Sequence, residues 1–246
     1  MVDPRITLSE EQGVRYLHFG TEWVQGAMRL DAPYALELEY QQQMMALAAL
    51  QPAPRDVLVL GLGAGAIAKF CWKQLPSARI TVAELSRAVV TAARTWFALP
   101  AESARFRVMV RDARRHLALP AQRESADWLL VDLYDRHARG PVLDDVDFYR
   151  SCAAALRPGG VAAFNLFGRR FGPSMMAITT AFGHSTVTLP AAAAGNRIVL
   201  GYGGADFDRV VTEMPMQARQ FDRSWRLPLS AWIGAATCGN FKAERA

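Results

Sequence analysis

Cysteine and lysine are both scarce in this chain of 246 residues, and each shortage excludes something. Cys71, Cys152 and Cys238 are an odd number with no close pair, which leaves neither a disulfide frame nor the spacing of a zinc site. No bound metal is expected. Lysine occurs only at 69, 73 and 242, so nearly all the positive charge behind the net +5 is arginine. The arginines form no run. Their densest group, Arg105, Arg107, Arg111, Arg114 and Arg115, is interleaved with strand and helix positions. A solvated basic surface accounts for that pattern, and nucleic acid is not an expected partner. Apolar runs of roughly 18 residues, the length a membrane span needs, are missing too. The first residues, MVDPRITLSEEQ, lack the charged-then-apolar pattern of a secretory leader, so the expected location is cytoplasmic. Internal repeats and low-complexity linkers are absent as well.

What is present is apolar: 51% of the residues are hydrophobic, enough to bury a large core. Residues 1–50 read as a small amino-terminal β-hairpin domain with a linking helix. "ITLSEEQGVRYLHFG" places two short alternating stretches around a turn, and "WVQGAMRL" adds a third strand. "ELEYQQQMMALAAL" has helical spacing and is stopped by Pro52 and Pro54. From residue 51 to 246 strands alternate with helices. The strands are DVLVLGLG, RITVAEL, FRVMVRD, ADWLLVD and VAAFNLF. The intervening helices are AIAKFCWKQL, SRAVVTAARTWF with Ser86 as its cap, ARRHLAL and DFYRSCAAALRPGG, the last ended by Pro and paired glycines. Near-continuous apolar strands between amphipathic helices predict a mostly parallel sheet covered on both faces. That is an α/β, doubly wound Rossmann-like fold of the class I S-adenosylmethionine methyltransferase type, with a small N-terminal β part. Beyond residue 172, SMMAITTAF reads as a helix, STVTLP and NRIVLGYG as a closing pair of strands, and residues 206–246 as an irregular tail.

The candidate site lies at the strand ends. Gly61, Gly63 and Gly65 occupy the first strand-to-helix turn, where glycine lets the backbone turn tightly and approach a ligand. Glu84 ends the second strand 19 residues after Gly65, where a carboxylate can accept both ribose hydroxyls of an adenosine. Asp112 ends the third and could accept from an adenine amino group; both could equally be helix caps. Asp132 ends the fourth, where a carboxylate could hold an amine and take its proton as it attacks carbon. Asp135, three residues on, could anchor a cationic substrate or merely solvate its loop. The loop RHARGPVLDD is long and polar enough for a lid, and His137 within it reads as a surface histidine. The glycine turn also fits the looser dinucleotide pattern, so a nicotinamide enzyme stays open at this point.

Leu30-Asp31, Tyr40-Gln41, the glycine turn, Glu84, Asp112-Ala113, Asp132-Leu-Tyr-Asp135, Gly140-Pro141, Phe148-Tyr149 and Leu156-Arg-Pro-Gly-Gly160 follow one another in an order that resembles the polyamine aminopropyltransferases, the spermidine synthase family. The resemblance runs from about residue 14 to 201. It implies transfer of an aminopropyl group from decarboxylated S-adenosylmethionine to putrescine or a related amine, releasing methylthioadenosine. By the same resemblance Glu84 holds the ribose, Asp112 the adenine, and Asp132 deprotonates the attacking amine, while Asp135, Tyr40 and Gln41 line the amine site. A second copy of the chain is the expected assembly partner. Three places differ from the family's pattern. Ala64 stands where the family's turn usually carries an Asp. The glutamine that usually follows the Leu-Asp-Gly stretch is missing. Asp135-Arg136 replaces Asp-Pro. The resemblance is therefore to a divergent branch, and two alternatives keep the fold. One is an S-adenosylmethionine-dependent methyltransferase, for which Ala64 leaves room for the methionine carboxylate. The other is a non-catalytic nucleotide-binding protein.

Overall fold

The computed structural model describes residues 3–135, 137, 140–168 and 171–239. Arg136, Ala138 and Arg139, in the stretch expected to form a lid, lie outside the described residues. Three antiparallel strands come first: β1 (Thr7–Glu11), β2 (Val14–His18) and β3 (Val24–Arg29), in that order across a small sheet. Helix α1 (Glu39–Met44) runs into a 3-10 turn over Met45–Ala49. The alternating part follows as β4 (Asp56–Leu60), α2 (Ala66–Gln74), β5 (Arg79–Glu84), α3 (Arg87–Trp96), β6 (Phe106–Val110), α4 (Ala113–Leu117) and β7 (Ala126–Val131). Then come α5 (Val146–Ala155), β8 (Leu156–Phe167), α6 (Gly172–Ala181), β9 (Thr186–Thr188) and β10 (Asn196–Tyr202). The described chain closes with α7 (Phe207–Trp225), α8 (Leu229–Gly234) and β11 (Thr237–Cys238).

Strands β4 to β11 form one eight-stranded sheet in the order β11-β9-β10-β8-β7-β4-β5-β6. Pairings from β8 across to β6 are all parallel, and β10, β9 and β11 add antiparallel pairs at one side. The expected mostly parallel, doubly wound sheet is the one present. Helices cover both faces. Side chains of α2, α3, α7 and α8, with the 3-10 turn, bury one face; those of α4, α5 and α6 bury the other. Every residue of β7 is buried, as its apolar run requires. Ser86 caps α3 by accepting from Val89 N at 3.2 Å, as expected. Among the described residues no helix is long and apolar enough to cross a membrane.

Two expectations need correction. Residues 206–239 are not irregular, and the rest of the expected tail, 240–246, lies outside the described residues. Val210, Met214, Ala218, Phe221 and Trp225 make a buried stripe along α7, a 19-residue helix that carries Pro215 inside it. The helix beginning near Asp147 does not extend through Arg-Pro-Gly-Gly. It stops at Ala155, and Leu156–Gly160 already belong to β8. Glycine makes that early pairing possible: a Cβ on Gly160 would sit 3.1 Å from both Ala126 O and Asp127 O, where the β7–β8 register shifts.

Candidate active site

In a doubly wound sheet the ligand crevice opens at the carboxyl ends of the strands, where the chain switches from one side of the first strand to the other. Here that point lies between β4 and β7. Asp132 N donates to Leu60 O at 3.0 Å, extending the β4–β7 ladder by one rung. Gly61 then meets Asp132 so closely that a Cβ there would lie 2.2 Å from Asp132 O. With φ of +92° as well, residue 61 has both steric and conformational reasons to be glycine. Gly63 is constrained from the other side, since a Cβ would fall 2.8 Å from Gln25 O on β3. The small sheet therefore covers the glycine turn. Leu17, Met28, Ala64, Ala92 and Phe97 form an apolar cluster beneath it, and Ala64 is 2% exposed.

Asp132 is the most elaborately held of the candidates. Tyr40 Oη, on α1, donates to one carboxylate oxygen at 3.1 Å, and Gln41 Nε2 donates to Tyr40 Oη at 3.2 Å. Asn165 Nδ2, on β8, donates to the other oxygen at 2.9 Å, and Asn196 Nδ2, on β10, donates to Asn165 Oδ1 at 2.9 Å. Tyr134 Oη donates to the backbone carbonyl of Asn165 at 2.7 Å. Burial pushes the Asp132 carboxyl above the ordinary aspartate range, while the Asn165 and Tyr40 bonds pull it back. Such a carboxyl, partly withdrawn from water but supplied with donors, can accept a proton from an amine during reaction.

Glu84 is held by the glycine turn itself. Its oxygens accept from Leu62 N at 2.9 Å and from Ser86 N at 2.8 Å. Burial raises its pKa against those backbone bonds. Asp112, one strand further out, caps α4 by accepting from Arg115 N at 2.9 Å. Asp135 Oδ1 accepts from His137 N at 2.8 Å, and its carbonyl accepts from Gln25 Nε2 at 3.1 Å, tying the post-β7 loop to β3. Hydrogen bonds thus join Tyr40, Gln41 and Asp132 in one network and Glu84 to the glycine turn. Asp112 stands at the next strand end along the same edge. Asn165, Asn196, Tyr134 and Gln25 were not singled out from sequence. Only Asn165 left a signal there, as the one polar residue inside the apolar run VAAFNLF.

The fold is of the class I methyltransferase type, with a half-buried acid beside its glycine turn. The spermine/spermidine synthase domain model matches residues 37–165. A polyamine aminopropyltransferase of Chromobacterium violaceum is 32% identical over 201 residues, 81% of this chain and 76% of that protein. One from Neisseria meningitidis is 27% identical over 240 residues, 96% of this chain and 90% of its relative. Among solved structures, a probable spermidine synthase from Corynebacterium glutamicum superposes with a TM-score of 0.71 at 19% identity, covering 98% and 95% of the two chains. Human methyltransferase-like protein 13 in complex with SAH reaches 0.66 at 21% identity, covering 77% and 93%. The chain belongs to the spermine/spermidine synthase family.

Proposed function

We propose that this protein transfers an aminopropyl group from decarboxylated S-adenosylmethionine to a small polyamine-type amine. The observation that carries this reading is the Asp132 carboxylate, half-buried at the switch point beside Gly61 with a donor on each oxygen. In the reaction the amine nitrogen attacks the carbon bonded to the sulfonium. The carbon–sulfur bond breaks, its electron pair goes to sulfur, and methylthioadenosine leaves as a neutral thioether. Asp132 takes the proton released from nitrogen. Most of the acceleration comes from holding nitrogen and carbon in line, with base assistance adding to it.

In this reading Gly61, Gly63 and Gly65 let the turn approach the nucleotide, Glu84 accepts from the ribose hydroxyls, and Asp112 accepts from the adenine amine. Tyr40 and Gln41 orient the base, and Asp135 takes the distal ammonium of the acceptor. Incubation with decarboxylated S-adenosylmethionine and a panel of diamines, followed by mass spectrometry, tests it. Methylthioadenosine and a product heavier by one aminopropyl group are expected. Asp132→Asn should lower the rate by about 10²-fold or more. Turnover that is unchanged in the variant removes Asp132 from the mechanism. Assembly as a homodimer is part of the proposal and is checked by light scattering.

A second reading has one observation in its favour. Residue 64 is an alanine, buried in an apolar cluster, and offers no carboxylate to an ammonium at the nucleotide's tail. Intact S-adenosylmethionine would then serve as a methyl donor. Calorimetry with the two sulfonium nucleotides separates the readings: preference for the carboxylated form overturns the first.

A further inference from the structure

Asn165 and Asn196 are both buried, at 3% and 6% exposure, in the sheet face that carries Asp132. Their strands run antiparallel, with Asn165 opposite Ile198 and Asn196 opposite Phe167. The two asparagines are therefore diagonal neighbours, two residues offset and on one face of the sheet. A primary amide has a donor end and an acceptor end, and half a turn about its last bond exchanges them. Turned one way, Asn165 gives Asp132 an N–H. Turned the other way, it sets a carbonyl oxygen against a carboxylate oxygen. The carboxylate takes the donor end: Asn165 Nδ2 is turned to Asp132, and its Oδ1 accepts from Asn196 Nδ2 at 2.9 Å.

We propose that Asn196 and Asn165 form a one-way amide relay that always presents a donor to Asp132, making both of them positioning residues for the base. A matching chain approaches from the opposite side, where Gln41 donates to Tyr40 and Tyr40 to the other carboxylate oxygen. Donors thus converge on the carboxylate from α1 and from the β8–β10 pair. This favours its ionised form in a half-buried place and leaves the remaining lone pairs for the incoming amine. Among the described residues, the titratable groups facing Asp132 are Tyr40 from α1 and Tyr134 from the loop after β7. From β8 and β10 come amides, and from β4 the backbone of Gly61.

The kinetic consequence rests on the transfer reaction proposed above, whereas the relay itself does not, so two measurements are needed. Asn196→Leu keeps the shape of the side chain while removing the donor; Asn196→Ala is the second variant if the first does not fold. In protein labelled with 13C at the aspartate carboxyls, the Asp132 signal is identified by its loss in Asp132→Asn and followed through pH. Its midpoint is expected to rise by about half to one pH unit in Asn196→Leu and by about one to two in Asn165→Leu, the scale of a lost hydrogen bond to a charged group. The acid limb of kcat/KM should move by the same amount. An unmoved midpoint in folded Asn196→Leu or Asn196→Ala overturns the relay, even where the variant is less stable. A moved midpoint in a protein that shows no aminopropyl transfer supports the relay and counts against the proposed reaction alone.

Discussion

Lys69 allows a test of the fold behind the glycine turn that needs no substrate. It lies in the first turn of α2, its backbone N–H donating to Gly65 O at 2.9 Å. The side chain is fully buried, and Nζ donates to Phe97 O, the cap at the carboxyl end of α3, at 2.7 Å. Among the described residues no carboxylate lies within ion-pair distance of it. A helix end with unsatisfied carbonyls favours a cation, but burial dominates and pushes the ammonium from 10.5 down to about 7. Because the folded pKa is the lower one, the unfolded chain binds more protons between those values, so stability should rise with pH through that window. Summing the two titrations gives a gain of about 1.5 kcal/mol between pH 7 and 8.5. The buried thiols Cys71 and Cys152, both pushed up by burial, act in the opposite sense in the alkaline part of the range. The comparison is therefore wild type against Lys69→Met, in which the thiols cancel. Denaturant unfolding at the two pH values should show the wild-type-minus-variant stability rising by about that amount. A flat or falling difference would mean that the ammonium keeps its charge in the fold without cost, refuting the desolvation argument.

Three further perturbations probe the site and its support. Glu84→Ala should weaken binding of either sulfonium nucleotide by calorimetry, and it also leaves Leu62 N and Ser86 N without their acceptor. Gly61→Ala places a Cβ against backbone at a positive φ and should lower stability by about 3 kcal/mol or more, with loss of turnover as Asp132 is displaced. At the opposite edge of the sheet Arg157 bridges Asp56 at 2.8 Å and Asp127 at 3.1 Å, both carboxylates being largely buried. Arg157→Met should lower the unfolding free energy by about 1–3 kcal/mol and leave KM unchanged, since Arg157 lies at the amino ends of the strands, a strand's length from the crevice at their carboxyl ends.

The order of strands and helices from Asp56 to Phe167 was legible because the central strands, β4 and β7 above all, are buried on both faces and so read as unbroken apolar runs. The tail was not legible, for a local reason. Its buried stripe from Val210 to Trp225 has helical spacing, but Met214-Pro215-Met216 interrupts it with a residue that normally ends a helix. Pro215 stands well inside α7, and the stripe against the 3-10 turn of residues 45–49 outweighs its lost hydrogen bond. The error at Arg157-Pro158-Gly159-Gly160 ran the other way. Pro and Gly rightly announced the end of a helix, but they also begin a strand that approaches β7 closely at Gly160, where a side chain would be tight.

The site divides along the same line. Glycines and carboxylates at strand ends can be found one strand at a time, since each sits at a fixed place relative to its own apolar run. What surrounds the acid cannot be found that way. Asp132 and Asn165 are 33 residues apart, and Asn165 and Asn196 a further 31. Each pairing exists only because β7, β8 and β10 are neighbours in the sheet, and no local pattern encodes which strands become neighbours. An asparagine inside an apolar strand is nonetheless a local anomaly: burying its amide without partners would cost roughly 1–3 kcal/mol for each unmet group. Such a residue implies a polar partner opposite before the partner is known, and at the carboxyl edge of a doubly wound sheet the nearest candidate is the acid ending the adjacent strand. Read in that direction, Asn165 points to Asp132 as firmly as the glycine turn does.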